Sequence, residues 1–162
     1  MKTLERHVIN KDTAAIVGEV DQHGKSYSIV YEGLDTFIVN MSPVCLIEHS
    51  LRYYCSSLKG ACEGSRSIFG DVNMLPIIVY SPLEIYWFPC SSPYRPDGIW
   101  FALNHVVKFE KMNTKNTRVS LTYGHSLVLG MTKQRYVTRL QNAAWLRYID
   151  LDRTGSLSFL LL

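Results

Sequence analysis

Cys45 and His49 stand four residues apart in the stretch PVCLIEHS, with Cys55 and Cys62 close behind. Sulfur and imidazole at that spacing fall on one face of a helix and are donors that zinc accepts. The set matches no common finger or ribbon, and no Cys-x-x-Cys pair occurs, so the thiols read as reduced core or surface residues and no metal is expected. Ser56, Ser57, Asp97 and His105 supply the residue types of a nucleophile, an orienter and a base. None of these serines sits in a Gly-x-Ser-x-Gly elbow, and no glycine-rich loop opens a helix after a strand to cradle a nucleotide. The chain therefore reads as a non-enzyme that needs no cofactor.

Anion recognition is better supplied. The stretch after Tyr54 gathers Ser56, Ser57, Lys59, Gly60, Gly64, Ser65, Arg66 and Ser67, which read as a mobile loop offering hydroxyls, backbone amides and two cations. Phosphate oxygens suit that mixture. The second stretch is SSPYRPDGIW, residues 91–100, where Arg95 lies between Pro93 and Pro96. Prolines bias the residues before them to extended backbone, so the guanidinium is expected to stand out from a stiffened loop.

The charge distribution points the same way. Residues 1–48 hold four Lys or Arg against seven Asp or Glu, and residues 95–162 hold ten against four. Basic charge thus gathers in the second half, at Arg95, Lys108, Lys111, Lys115 and Arg118, then at Lys133, Arg135, Arg139, Arg147 and Arg153. An anionic partner would match it, as would a solvated surface. No run approaches the roughly 18 apolar residues of a membrane span, and the polar start MKTLERHVINKD is unlike a leader, so the expected location is cytoplasmic.

These residues must be held by a fold, which reads as α+β, mostly antiparallel sheet. AAIVGEV (14–20), SYSIVYE (26–32) and TFIVNM (36–41) are rich in β-branched and aromatic residues and separated by turns, a meander of three strands. Ser42-Pro43 suits a helix start, and Val44, Ile47, Leu51, Tyr54 and Leu58 follow at helical spacing, giving one amphipathic helix near 43–58 that stops by Gly60. Strands resume at LPIIVY (75–80), EIYWF (84–88) and a long, bulged run over 99–112, then a hairpin around Gly124. A C-terminal helix is expected near 134–148. His105, embedded in IWFALNHVV, reads from its surroundings as a half-buried, hydrogen-bonded side chain.

Taken together, several short motifs resemble the ComK family, the competence transcription factors of Firmicutes bacteria. They are Asn40-Met41-x-Pro43, Arg52 followed by Ser56-Ser57-x-x-Gly60, Pro76-Ile77-x-Val79, Phe88-Pro89, Arg95-Pro96, Trp100 with His105-Val106, and Ala144-Trp145-Leu146-Arg147. The resemblance covers roughly residues 20–150. It implies a transcription activator of DNA-uptake genes that binds AT-rich double-stranded DNA, at A-tract and T-tract boxes, through the minor groove. It also implies dimers on DNA and control by a proteolytic adaptor.

Narrow A-tract grooves concentrate negative potential and attract inserted arginines, which agrees with the basic residues above. The expected DNA-facing residues are Arg52, Ser56, Ser57, Lys59, Arg66, Arg95, His105 and Lys108. Residues 1–150 are expected to form one DNA-binding domain and 151–162 a short tail. Where the family usually has a basic residue after the glycine of the serine motif, Ala61 stands here. The stretch gripped by an adaptor lies beyond the Trp-Leu-Arg motif, and this chain ends at RTGSLSFLLL, which leaves the adaptor open. The alternative is a ComK-like protein-interaction module that no longer binds DNA.

Overall fold

The computed structural model describes residues 1–92 and 94–156. Among the described residues ten strands form two sheets, and three α-helices complete the α+β architecture. The first sheet contains β1 (Thr3–Leu4), β2 (Thr13–Val20), β3 (Ser26–Glu32), β4 (Asp35–Val39), β5 (Ile77–Tyr80), β6 (Ile85–Pro89) and β7 (Ile99–Ala102). Its order is β1-β4-β3-β2-β7-β6-β5, antiparallel except for the short parallel pair β1–β4. The second is the antiparallel meander β8 (Val106–Lys111), β9 (Thr117–Leu121), β10 (Ser126–Leu129).

Both faces of the large sheet are covered, which explains why its middle strands lack a polar alternation. All five residues of β6, IYWFP, are buried. Side chains alternate across a strand, so Trp87 and Trp100 enter one core with Ile16, Val30, Leu46, Ile47 and Leu51, beneath α1. Their neighbours Phe88 and Phe101 enter the other, with Val119, Leu121, Tyr136 and Ala143 from the small sheet and α3.

Helix α1 (Pro43–Tyr53) starts as its sequence predicts. Ser42 Oγ accepts the Cys45 amide at 3.4 Å and Pro43 occupies the first turn, where a missing N–H is harmless. It stops earlier than expected. Cys55 takes φ +65°, the Ser56 amide reaches back to the Leu51 carbonyl at 2.8 Å, and the Cys55 amide to that of Arg52 at 3.0 Å. This is a Schellman ending with cysteine where glycine is usual.

The loop expected over 59–71 is corrected by a second helix, α2 (Leu58–Phe69). Leu58, Ala61, Cys62, Ser65 and Ile68 recur at helical spacing there, and three of them, Leu58, Ala61 and Cys62, pack on the core under α1. Ser57 Oγ caps the Gly60 amide at 3.1 Å, and buried Ser65 Oγ donates to the Pro76 carbonyl at 2.5 Å.

The run over 99–112 is two strands rather than one. A 3-10 turn at Leu103–His105 carries the chain from β7 in the large sheet to β8 in the small one. Helix α3 (Lys133–Arg153) begins on the Thr132 cap and extends beyond the stretch expected near 134–148. The hexapeptide LSFLLL, 157–162, lies outside the described residues, as does Pro93.

Candidate nucleic-acid interface

The antiparallel large sheet presents α1 and α2 side by side, and the groove between them is about 850 Å³. Val44, Leu58 and Cys62 form its apolar floor, and Arg52, Lys59 and Arg66 project from the two helices around it. Tyr94, 75% exposed, closes it from the 91–98 loop and also lines an adjoining cleft of about 500 Å³ over Trp100. Glu48 and Glu63 stand among the cations.

One carboxylate organises the junction of the helices. Glu48 Oε1 accepts Arg52 Nε at 3.0 Å, and Oε2 accepts the Leu58 amide at 2.6 Å. The negative charge thereby sits at the N-terminus of α2, where the exposed amides carry partial positive charge. Arg66 meets Asp71 at 3.8 Å, a loose exposed pair. The outer face of α2 is small: Gly60, Gly64 and Ser67 are exposed, and a Cβ added at Gly64 would meet nothing within 4 Å. A flat partner could approach that backbone closely.

The loop carrying Arg95 is pressed onto β2. The Gly18 amide donates to the Gly98 carbonyl at 2.8 Å. A Cβ at Gly18 would lie 2.1 Å from the Pro96 carbonyl oxygen and 2.7 Å from Pro43 Cγ, so only glycine fits. Arg95 does not extend freely from this loop. Its Nε and Nη2 fork onto the two oxygens of Asp97, both at 3.0 Å, and the hydrogen bonds from Arg95 hold that carboxyl below its usual range. The pair is exposed and open to solvent screening.

The fold therefore brings Arg52, Lys59 and Arg66 together at one groove, with Arg95 on the loop beside it. Ser57 is a helix cap at the junction and Ser56 ends the α1 turn. His105 and Lys108 lie elsewhere. His105 sits in the seam between the sheets, its Nε2 donating to the Lys11 carbonyl at 2.6 Å and its Nδ1 2.5 Å from Thr122 Oγ1. This is the hydrogen-bonded, half-buried state that its surroundings in the sequence suggest. Lys108 is exposed on β8, in the small sheet that packs against the opposite core. Sequence reasoning missed Glu48 and Tyr94. The signal for Glu48 was its position four residues before Arg52, the spacing of a helical ion pair.

The residues that nominally resemble a hydrolase set are each engaged separately, Ser57 as a cap, Asp97 with Arg95 and His105 in the seam. Cys45, His49 and Cys62 line the groove, but among the described residues no group of three or more His, Cys, Asp or Glu is placed to hold a metal ion. Burial pushes the Cys62 thiol up, away from the reactive thiolate. Among the described residues no helix is long and apolar enough to cross a membrane.

The chain combines an α+β fold with a cationic groove between two helices on a mostly antiparallel sheet, and its family follows from comparison. The model of the family described as ComK protein matches residues 4–155, and the chain belongs to that family. It is similar to the competence transcription factor of Bacillus subtilis (strain 168), 29% identical over 150 residues, which span 93% of this chain and 78% of that protein. No solved structure matches the chain.

Proposed function

We propose that this chain is a competence transcription activator that binds double-stranded, AT-rich DNA through the surface formed by α1, α2 and the 91–98 loop. The observation that carries this reading is the convergence of Arg52, Lys59 and Arg66, from two helices, on one groove beside the Arg95 loop. Similarity to the competence transcription factor of Bacillus subtilis supports it. Arg95 enters the minor groove of A-tract and T-tract boxes, exchanging Asp97 for the denser negative potential there. Lys59 and Arg66 contact flanking phosphates, and the glycine face of α2 lets the backbone come close.

On this reading the chain acts in the cytoplasm without a catalytic step, in residues 1–150 as one DNA-binding domain, with more than one copy on the DNA. His105 holds the two sheets in register, and Lys108 adds to the long-range basic field.

The test is the salt dependence of binding to an A-tract duplex. Affinity should fall steeply with salt, with Lys59→Gln and Arg66→Gln each reducing the log–log slope by about 0.9. Replacing A·T by I·C pairs, which keeps the minor-groove pattern, should preserve binding. Salt-independent binding, or loss on I·C substitution, overturns it. The apolar floor of Val44, Leu58 and Cys62 favours a second reading, a protein-interaction module. That reading predicts no retention on an A-tract DNA column in moderate salt.

A further inference from the structure

The cleft of about 500 Å³ beside the α1–α2 groove is walled by Leu58 of α2 and by Val72, Met74 and Leu75 from the segment after that helix, with Tyr94 at its edge. Its volume lies within the roughly 300–1,000 Å³ usual for small-molecule sites. The wall is held from two directions. The Asn73 carbonyl accepts Arg139 Nη1 of α3 at 3.4 Å, and the Pro76 carbonyl accepts Ser65 Oγ of α2 at 2.5 Å. Met74 keeps φ +60°, a left-handed conformation uncommon outside glycine, so the segment takes its shape from its surroundings.

Two polar groups of the cleft are poorly answered by the protein. Trp100 lines it while only 1% exposed, and among the described residues its buried indole N–H has no hydrogen-bond partner. A buried donor is costly to leave unpaired. The Trp87 N–H is also unpaired among those residues, but Trp87 lines neither this cleft nor the groove. Arg66 is the one charged side chain among the described residues lining the cleft. Its ion pair is the loose one with Asp71, whose carboxylate is fully exposed.

We propose that this cleft is a binding site for a small amphipathic carboxylate, a flat apolar body carrying one negative charge. The body packs against Leu58, Leu75 and the Tyr94 ring, and the carboxylate takes the planar fork of Arg66, whose geometry it matches. The ligand also brings the oxygen acceptor that the Trp100 N–H lacks. The α1–α2 groove is a poorer host, because Glu48 and Glu63 stand among its cations. Arg66 and Tyr94 border both cavities, and the carbonyl of Ser92, another residue of the cleft, accepts the Arg95 amide at 3.1 Å. Occupancy therefore competes with DNA for Arg66 and touches the turn that carries Arg95, a consequence that rests on the proposed function. By linkage, ligand and DNA weaken each other by the same factor.

Titration of the whole chain with 2-naphthoate, and with 2-naphthamide as its uncharged counterpart, tests this without DNA. The acid should bind at one site, about tenfold more tightly than the amide, the effect of one charge-assisted contact, and Arg66→Gln should remove that preference. In nitrogen-15 NMR spectra the Trp100 indole N–H signal should move, while that of Trp145, exposed on α3, should not. Val72→Trp, at a half-buried position on the wall, should fill the cleft and abolish binding with the thermal midpoint nearly kept. If that variant does not fold, Arg66→Gln and the Trp100 signal still decide. No binding at millimolar acid, equal affinity for acid and amide, or a folded Val72→Trp that still binds overturns the inference. So does binding that moves the Val44 and Cys45 amides but not Trp100, which puts the probe in the α1–α2 groove. A Trp100 signal that responds to protein concentration and not to the acid means that a second copy covers the cleft, and the inference fails. If the acid binds as expected but saturation leaves A-tract affinity unchanged, the ligand site stands and the placing of Arg66 on DNA fails.

Discussion

Glu48 reaches across the corner between α1 and α2 to accept the Leu58 amide at 2.6 Å. The contact stabilises the start of α2, yet it also places a carboxylate beside Arg52 at the centre of the proposed DNA surface. The two effects oppose each other. Glu48→Gln retains an acceptor for Leu58 but removes the charge, so stability should fall by about 1 kcal/mol. Affinity for any duplex should rise, because Arg52 is released and a repulsive charge is gone. Urea unfolding and duplex titration of one variant measure both. A loss of stability with unchanged affinity would place the DNA surface elsewhere.

Gly64 offers a second separation of stability from binding. It sits inside α2 with open space where a Cβ would point, so Gly64→Ala should stabilise the protein by roughly 0.5–1 kcal/mol, the helix penalty of glycine. If the duplex lies against this face, the added methyl should nonetheless weaken A-tract binding. A more stable variant with unchanged affinity would show that DNA does not approach α2 closely.

The Arg95–Asp97 fork gives opposite predictions for its two members. Arg95→Ala should change stability by no more than about 0.5 kcal/mol, as expected for an exposed pair. It should weaken A-tract binding by about 1–3 kcal/mol, with Arg95→Lys recovering only part. Asp97→Asn should strengthen binding by freeing the guanidinium. Competition between A-tract and mixed-sequence duplexes on all three variants decides whether Arg95 reads the groove.

Acid stability should be governed in part by Glu32. Burial alone would push its carboxyl up, but hydrogen bonds from His7 at 2.8 Å, from Thr13 and from Asn10 at 2.9 Å outweigh it and hold the group below its ordinary value of 4.5. The unfolded chain therefore takes up the proton first as pH falls. The stabilisation is complete above 4.5 and is lost on acidification through the lower folded-state value. Glu32→Gln should cost about 1–3 kcal/mol at neutral pH, and the difference from wild type should narrow in acid. Urea midpoints of both proteins across the acid range check this.

Most strands were legible because their residues alternate or run apolar between clear turn signals, and Ser42-Pro43 marked the start of α1. Three features were hidden, each for a local reason. Cys55 ends α1 in a left-handed conformation that glycine usually takes, so no breaker showed in the sequence. In α2, Gly60 and Gly64 masked a helical pattern whose stability comes from the Ser57 cap, the Glu48 carboxylate and packing of Leu58 and Cys62. The turn at Leu103–His105 contains neither glycine nor proline and is fixed by distant partners, such as the Lys11 and Glu84 carbonyls. The cations of the candidate site were visible as types. Their convergence depended on α2 being a helix, and the restraint on Arg95 depended on a rotamer that spacing does not reveal.

Trp87 and Phe88 are adjacent in the chain but belong to different cores, as do Trp100 and Phe101 on the strand beside them. No plane through the molecule separates the α1–α2 side from the α3 side without tearing these two strands. The amides of β6 and β7 should accordingly exchange with solvent only when the whole molecule opens, and both faces should melt in one transition. A weakness introduced beneath α3 would then be felt as a loss of folded molecules at the α1–α2 groove, far from the change itself.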